Sequence, residues 1–171
     1  NEFEFYWSHF ATQIGIFEGA HIGTVEDIQA RIAHGRPFEE YDFSYQIKAP
    51  RQKVGHDLAK VSWGHQFGSN RKSEVQYGLQ RNHRKEYDLR RVEADDIPMA
   101  DMVLTTQSLD VVLKQGNSSL GVQSLLQVNN NVPGTGTTPI IPNFDSYSTG
   151  IFALHQFHID ALQDRKSTRL N

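Results

Sequence analysis

The chain has 171 residues, room for one ordinary domain, with a formal net charge of -3 and a pI near 6.2. That balance argues against a nucleic-acid binder, and the lack of cysteine excludes disulfides and thiolate metal sites. Hydrophobic content is 37%, low for a buried-core domain, while aromatics at 11% are too many for a disordered chain. No run approaches ~18 apolar residues, so no transmembrane helix is expected, and no signal peptide is visible. A membrane β-barrel is untouched by either observation, because its strands are only half apolar.

The chain opens at Asn1 directly into "FEFYWSHFATQ", a strand over about 3–15 that is aromatic on both faces. Phe3, Phe5, Tyr6, Trp7 and Phe10 are candidates for an aromatic girdle at a membrane interface, against the plainer reading of a sheet core. A long connection, 16–44, follows and contains "TVEDIQARIAHG". Thr24 as N-cap, Asp27 three residues on, the Val25/Ile28/Ile32 face and Gly35 past the end predict a short helix over about 25–33, lying on the sheet.

Period-two patterning then dominates. A strand over about 45–67 puts Ala59, Val61, Trp63 and Phe67 on one face, with Lys60, Ser62, Gly64 and Gln66 on the other. After the short turn "GSNRK", a strand over about 72–90 opposes Val75, Tyr77 and Leu79 to Glu74, Gln76, Gly78 and Gln80. It continues into the charged "RNHRKEYDLRR" at 81–91. Glu93, Asp95, Asp96 and Asp101 make the 91–101 connection acidic; no EF-hand spacing is present, and a hydrated loop is expected.

Strands over about 102–115 and 119–130 flank the short turn "GNSS", with Leu109, Val111, Leu113, Leu120 and Val122 as their apolar positions. The 131–146 connection is rich in Gly and Pro. Pro133, Pro139 and Pro142 fix φ and stiffen it, and Ile140 and Ile141 are expected to pack on neighbouring loops. A last strand spans about 147–161. The terminal "DRKSTRLN", 164–171, has no periodicity and resembles a translated sequencing-library adapter; it is set aside as a non-native tail, the alternative being a frayed natural terminus. With no initiator methionine at its start, residues 1–163 read as an internal fragment of a longer protein.

Six strands are thus expected, joined by connections that alternate strictly between short and long. In an up-and-down meander all short turns then share one end and all long loops the other. That is the layout of an outer-membrane barrel, whose strands need about 9–11 tilted residues to cross the hydrocarbon. The expected fold is all-β, a partial transmembrane β-barrel of about six long antiparallel strands with one short helix in an extracellular loop.

The stretches from Ala11 to Val61 ("ATQIGIFEGAHIG…HDLAKV"), "VQYGLQRNHRKEYDLRR" and "LGVQSLLQVNNNVPGTGTTPIIPNFDSYSTGIFALHQF" resemble the barrel of TonB-dependent outer-membrane receptors over about residues 3–162. The resemblance implies a 22-stranded barrel around an N-terminal plug, in a Gram-negative outer membrane. It also implies uptake of a scarce ligand, of the iron–siderophore or cobalamin class, driven by the TonB complex. The chain carries neither plug nor TonB-contacting box, so it corresponds to a slice of such a barrel. Its implied partners are outer-membrane lipid and lipopolysaccharide, a small-molecule ligand, and the TonB complex through the missing plug. Arg84, Tyr87 and Phe144 are the candidate ligand contacts. The alternatives are a passive porin-like barrel and a soluble β-sandwich that binds carbohydrate.

Other constellations carry less. "GTGTT" lacks the following helix and the Lys of a phosphate loop, since "PIIP" comes next. His155 and His158, and likewise His56 and His65, fall on opposite strand faces, and no HExxH is present, so no metal or cofactor is expected. The cations of 81–91 suit lipopolysaccharide phosphates or an anionic ferric complex at an outer surface, against the plainer reading of a solvated strand end. No catalytic triad or carboxylate pair follows from spacing, and no enzyme is expected.

Overall fold

The computed structural model describes residues 1–16, 24–35, 43–88, 97–159 and 162–170, with side chains through 157. Its elements are β1 (Glu2–Gly15), α1 (Val25–His34), β2 (Arg51–Phe67), β3 (Arg71–Tyr87), β4 (Ala100–Gln115), β5 (Ser118–Asn131), β6 (Phe144–Ile159) and β7 (Leu162–Leu170). The strands form one open antiparallel sheet in the order β1-β2-β3-β4-β5-β6-β7. The meander and the short helix follow the sequence expectation, although β3 ends at Tyr87 rather than near 90, and three further boundaries depart from it.

β2 starts at Arg51 rather than near 45. Pro50 precedes it and has no N–H to give to a ladder, so pairing begins only after it. β6 starts at Phe144, three residues early, because Phe144 pairs with Asn129. The third departure is the segment set aside as a tail. Residues Leu162–Leu170 form a seventh strand, paired with β6 from Ile159↔Leu162 to Ile151↔Leu170. Adding to an open sheet edge needs only backbone donors and acceptors, so a segment without apolar alternation can still pair.

The short connections are tight. Gln115 and Ser118 pair across the two-residue turn Gly116-Asn117, where Gly116 has φ 56°. Phe67 and Arg71 pair across Gly68-Ser69-Asn70, with Gly68 at φ 68°. Both glycines take the left-handed conformation that hairpin turns demand and other residues resist. The two turns are joined, since Gly116 N–H donates to Asn70 O at 3.1 Å, and Gln156 N–H donates to Asn117 O at 2.9 Å.

Register fixes which side chains share a face. Phe3, Trp63, Val75, Val111, Val122 and Ile151 make one continuous apolar row across β1 to β6. Phe5, Val61, Tyr77 and Leu109 form the next row, and Trp7, Ala59 and Leu79 the one above it. The opposite face carries rows such as Glu4, Ser62, Gln76, Asp110, Gln123 and Gly150. The expected aromatic cluster on β1 is therefore split. Phe3, Phe5 and Trp7 lie on the apolar face, while Tyr6 and Phe10 lie on the polar one beside Lys60 and His56. The parity of the pleat forces this, because Tyr6 is one residue out of step with its neighbours.

Nothing covers the apolar rows. Among the described residues only Ala49 and Tyr87 are buried hydrophobics, and no side chain is fully buried. Trp7 is 62% exposed and Leu120 is 53% exposed. Cross-strand pairs, rather than a core, hold the described part of the chain together.

Helix α1 forms as its capping signals predict. Thr24 N–H donates to Asp27 Oδ2 at 2.9 Å, and Asp27 N–H donates to Thr24 Oγ1 at 3.2 Å. Gly35, at φ 68°, closes the helix by donating its N–H to Arg31 O. It does not rest its apolar face on the sheet as expected: no helix residue is buried, and Ile32 is 75% exposed.

Replacing Gly116 by Val places a β-branched residue at positive φ, a cost of about 1–2 kcal/mol. Amide exchange over residues 113–120 is expected to accelerate roughly tenfold in Gly116→Val, with 75–85 unchanged. Unaltered exchange across the turn would show that the left-handed conformation is dispensable there.

Candidate functional site

Alternating parity along β3 decides how the charged run 81–87 is distributed. Arg81, His83, Lys85 and Tyr87 fall on the apolar-face side, and Asn82, Arg84 and Glu86 on the polar side. Arg84 and Tyr87, three residues apart, therefore point to opposite faces.

On the polar side Arg84 sits between Val54 and Met102 and forms an ion pair with Glu86. Phe144 occupies the row Phe10, His56, Asn82, Leu104, Asn129 and Phe144, one step toward the short-turn end. Three strand spacings separate Phe144 from the strand of Arg84, roughly 14 Å at about 4.8 Å each. Arg84 and Phe144 thus share a face and an end of the sheet without touching. Within the row of Phe144, Asn82 Nδ2 and His56 Nδ1 are 3.4 Å apart.

Tyr87 has a different setting. It is buried on the other face, and the Arg51 guanidinium lies 4.2 Å from its ring centroid. Lys53 Nζ approaches the same ring at 5.6 Å. The three sequence candidates are not one site.

The long-loop end is organised by asparagines that sequence reasoning passed over. Asn129 Nδ2 donates to Pro142 O at 3.1 Å. Asn131 Nδ2 donates to Ile141 O and to Asn143 Oδ1, each at 2.8 Å, and Asn131 N–H donates to Asn143 Oδ1 at 2.7 Å. Loop 132–143 is tied sideways as well, with Thr137 Oγ1 donating to Met99 O at 2.7 Å and Gly136 N–H donating to Pro98 O at 2.9 Å. These amides tie down the loop in addition to its prolines. Ile140 does not pack on a neighbour as expected; it is 98% exposed, and Ile141 is half exposed. The signal for the clamp was in the sequence, as the run "NNN" at 129–131 directly before the loop.

Asp101 also departs from expectation. It lies on β4 rather than in a hydrated acidic loop, is 5% exposed, and meets His83 Nε2 at 2.7 Å and Lys85 Nζ at 3.3 Å. Glu93, Asp95 and Asp96 lie outside the described residues.

At the short-turn end the polar face carries a charge ladder. Lys72 Nζ is 3.1 Å from Glu74 and 3.6 Å from Glu2, and Lys114 Nζ is 2.6 Å from Glu74. Lys60 stands 3.8 Å from Glu4. These are opposite charges alternating across four strands. Among the described residues no group of three or more His, Asp or Glu side chains converges as a metal site would require. Comparison with protein-family models, curated proteins and solved structures finds no match to this chain.

The asparagine clamp can be tested directly. Asn131→Ala removes two side-chain hydrogen bonds and is expected to loosen loop 132–143 by about 1–3 kcal/mol. Limited proteolysis in that loop is expected to speed up about tenfold or more, with β2 and β3 still protected. Unchanged cleavage would assign the loop's order to its prolines alone.

Proposed function

We infer that the chain is a segment of an outer-membrane β-barrel receptor that binds a scarce small molecule and imports it by TonB-coupled energy. Residues 1–163 constitute the barrel part in this reading. One observation carries it. A single sheet layer presents an unbroken apolar row across six strands, and among the described residues no protein surface covers it. A soluble β-sandwich would need a second sheet about 10 Å above that face. Lipid acyl chains supply the missing apolar medium.

Dimensions support the same reading. The apolar band runs along β2 from Ala59 to Phe67, roughly 27 Å of strand at about 3.3 Å per residue. Strands tilted by about 40° would bring it to about 20 Å, near the ~25 Å apolar band of outer-membrane barrels. Phe67 stands at the short-turn border of the band and Trp7, paired with Ala59, at its long-loop border, where barrels carry aromatic girdles. Short turns and long loops segregate to opposite ends, as in barrels with tight periplasmic turns. The opposite face, rich in Gln, Asn, Ser and paired charges, suits a hydrated lumen.

The mechanism in this reading is binding rather than bond-making. Ligand meets the lumen face at the long-loop end, near Arg84, His56, Asn82 and Phe144, under the clamped 132–143 loop. Energy then enters through a plug encoded upstream. TonB coupling, as against passive flow through a pore, rests on the sequence resemblance and has its own test. The complete open reading frame is expected to encode an N-terminal plug with a TonB-contacting segment. A frame that begins directly in barrel strands would leave the membrane sheet standing and remove the TonB coupling.

The membrane placement has a native probe, because both tryptophans, Trp7 and Trp63, lie on the apolar face. In phosphatidylcholine vesicles, brominated acyl chains are expected to quench their fluorescence and aqueous acrylamide to leave most of it. Val111→Arg on the apolar face is expected to weaken insertion by about 2–4 kcal/mol. Ser148→Arg on the polar face is expected to change it by less than about 1 kcal/mol. Tryptophans open to acrylamide and shielded from bromolipid would sink the membrane reading.

A further inference from the structure

The ladder fixes which residues turn their backbone outward at each side of the sheet. β1 is an end strand and pairs with β2, and Ile16 N–H donates to Pro50 O at 2.8 Å in step with that ladder. Bonded and non-bonded pairs alternate along an antiparallel ladder. The even-numbered residues of β1 therefore address β2, and odd-numbered ones such as Phe3, Phe5 and Trp7 turn N–H and C=O to the outer edge. On β6, Gln156 N–H donates to Asn117 O at 2.9 Å toward β5. Thr149, Ile151, Ala153 and His155 therefore point their backbone away from β5. Both outward sets belong to the apolar face.

Direction matches as well. β1 to β6 is an even count in an antiparallel meander, so β6 runs opposite to β1. A second copy set with its β1 against β6 meets it antiparallel. Its apolar face then continues the apolar face of the first copy, and its long loops stand at the same end. Pairing β6 with β6, or β1 with β1, in the antiparallel sense sets the loops of one copy beside the tight turns of the other. β7 covers this edge from Ile151↔Leu170 to Ile159↔Leu162. As the seventh strand it runs in the same sense as β1, so β1 of another copy would lie parallel to it, in the less stable ladder. Its sequence also includes Asp164, Arg165, Lys166 and Arg169, and charged residues deter pairing at an edge.

We propose that the outer edge of β6 is a docking site for β1 of a second copy of this chain, and that residues 162–170 hold it closed. The inference rests on the membrane reading, because hydrocarbon tolerates no open sheet edge and insertion sets the loops of every copy on one side. Head-to-tail addition meets both demands, since such an interface closes into a ring when its rotation does. The recognition element is backbone: an extended strand of the right sense, whose outward N–H and C=O groups belong to its apolar-face residues.

The test uses the full chain in phosphatidylcholine vesicles. The sequence has no cysteine, so Phe3→Cys on β1 with Thr149→Cys on β6 can be joined selectively by a short bis-maleimide. Five strand spacings, roughly 24 Å at about 4.8 Å each, separate the two strands within one copy, so a joined pair reports two copies. Lys166→Pro with Thr168→Pro removes two donors that the register directs at β6. Crosslinked dimers and higher species are expected to rise about tenfold or more in that variant. Adding Phe5→Pro, which removes an outward donor of β1 and spares its ladder to β2, is expected to return them to the starting level. Equal crosslinking in Thr149→Cys alone would overturn β1 as the occupant. Crosslinking that does not rise when β7 is broken, with bromolipid quenching of Trp7 and Trp63 intact, would overturn the docking edge. Loss of that quenching would instead overturn the membrane reading beneath it.

Discussion

The apolar rows of the sheet set the terms for everything else. A β-sheet with one greasy face is stable only when that face leaves water, because exposed apolar area costs about 25 cal/mol per Å². Phe3, Trp63, Val75, Val111, Val122 and Ile151 make such a face across six strands, with no second layer over it among the described residues. The remaining features follow from which side chains share that face. Polar and paired charged groups populate the other side, cations gather beyond the band, and small or glycine residues occupy the turns.

Much of this was legible from alternation. Val75, Tyr77 and Leu79, or Val111 and Leu113, announce strands because apolar residues at every second position can serve only one face. Gly116-Asn117 and Gly68-Ser69-Asn70 announce the turns, and Thr24, Asp27 and Gly35 announce the helix. What alternation misses is pairing that does not depend on side chains. β7 adds to the edge of β6 through its backbone, and no periodicity marks it. Pro50 delays β2 by removing a donor, a local chemical veto on an otherwise continuous pattern.

The site was less legible than the fold, for a related reason. Arg84 and Tyr87 sit in one charged run, and adjacency in sequence suggested adjacency in space. On a strand, residues three apart face opposite ways. Asp101 read as part of an acidic loop, yet it is the buried partner of His83 and Lys85, because β4 begins one residue before it. The Lys53/Lys85 opposition is invisible until register is known, since 32 positions separate the two in the chain. Cross-strand chemistry is set by strand register rather than by any short motif.

Every strand in the sheet pairs only with its neighbours in sequence, and the tight turns at one end are hydrogen-bonded to each other. Such a ribbon can grow one strand at a time from a partly built edge. Each completed strand offers its open backbone as the template for the next to arrive, and the joined turns hold the count so that a new strand docks in step. Vectorial delivery of the chain, first strand first, would then let each arriving strand find its partner in the one laid down just before it.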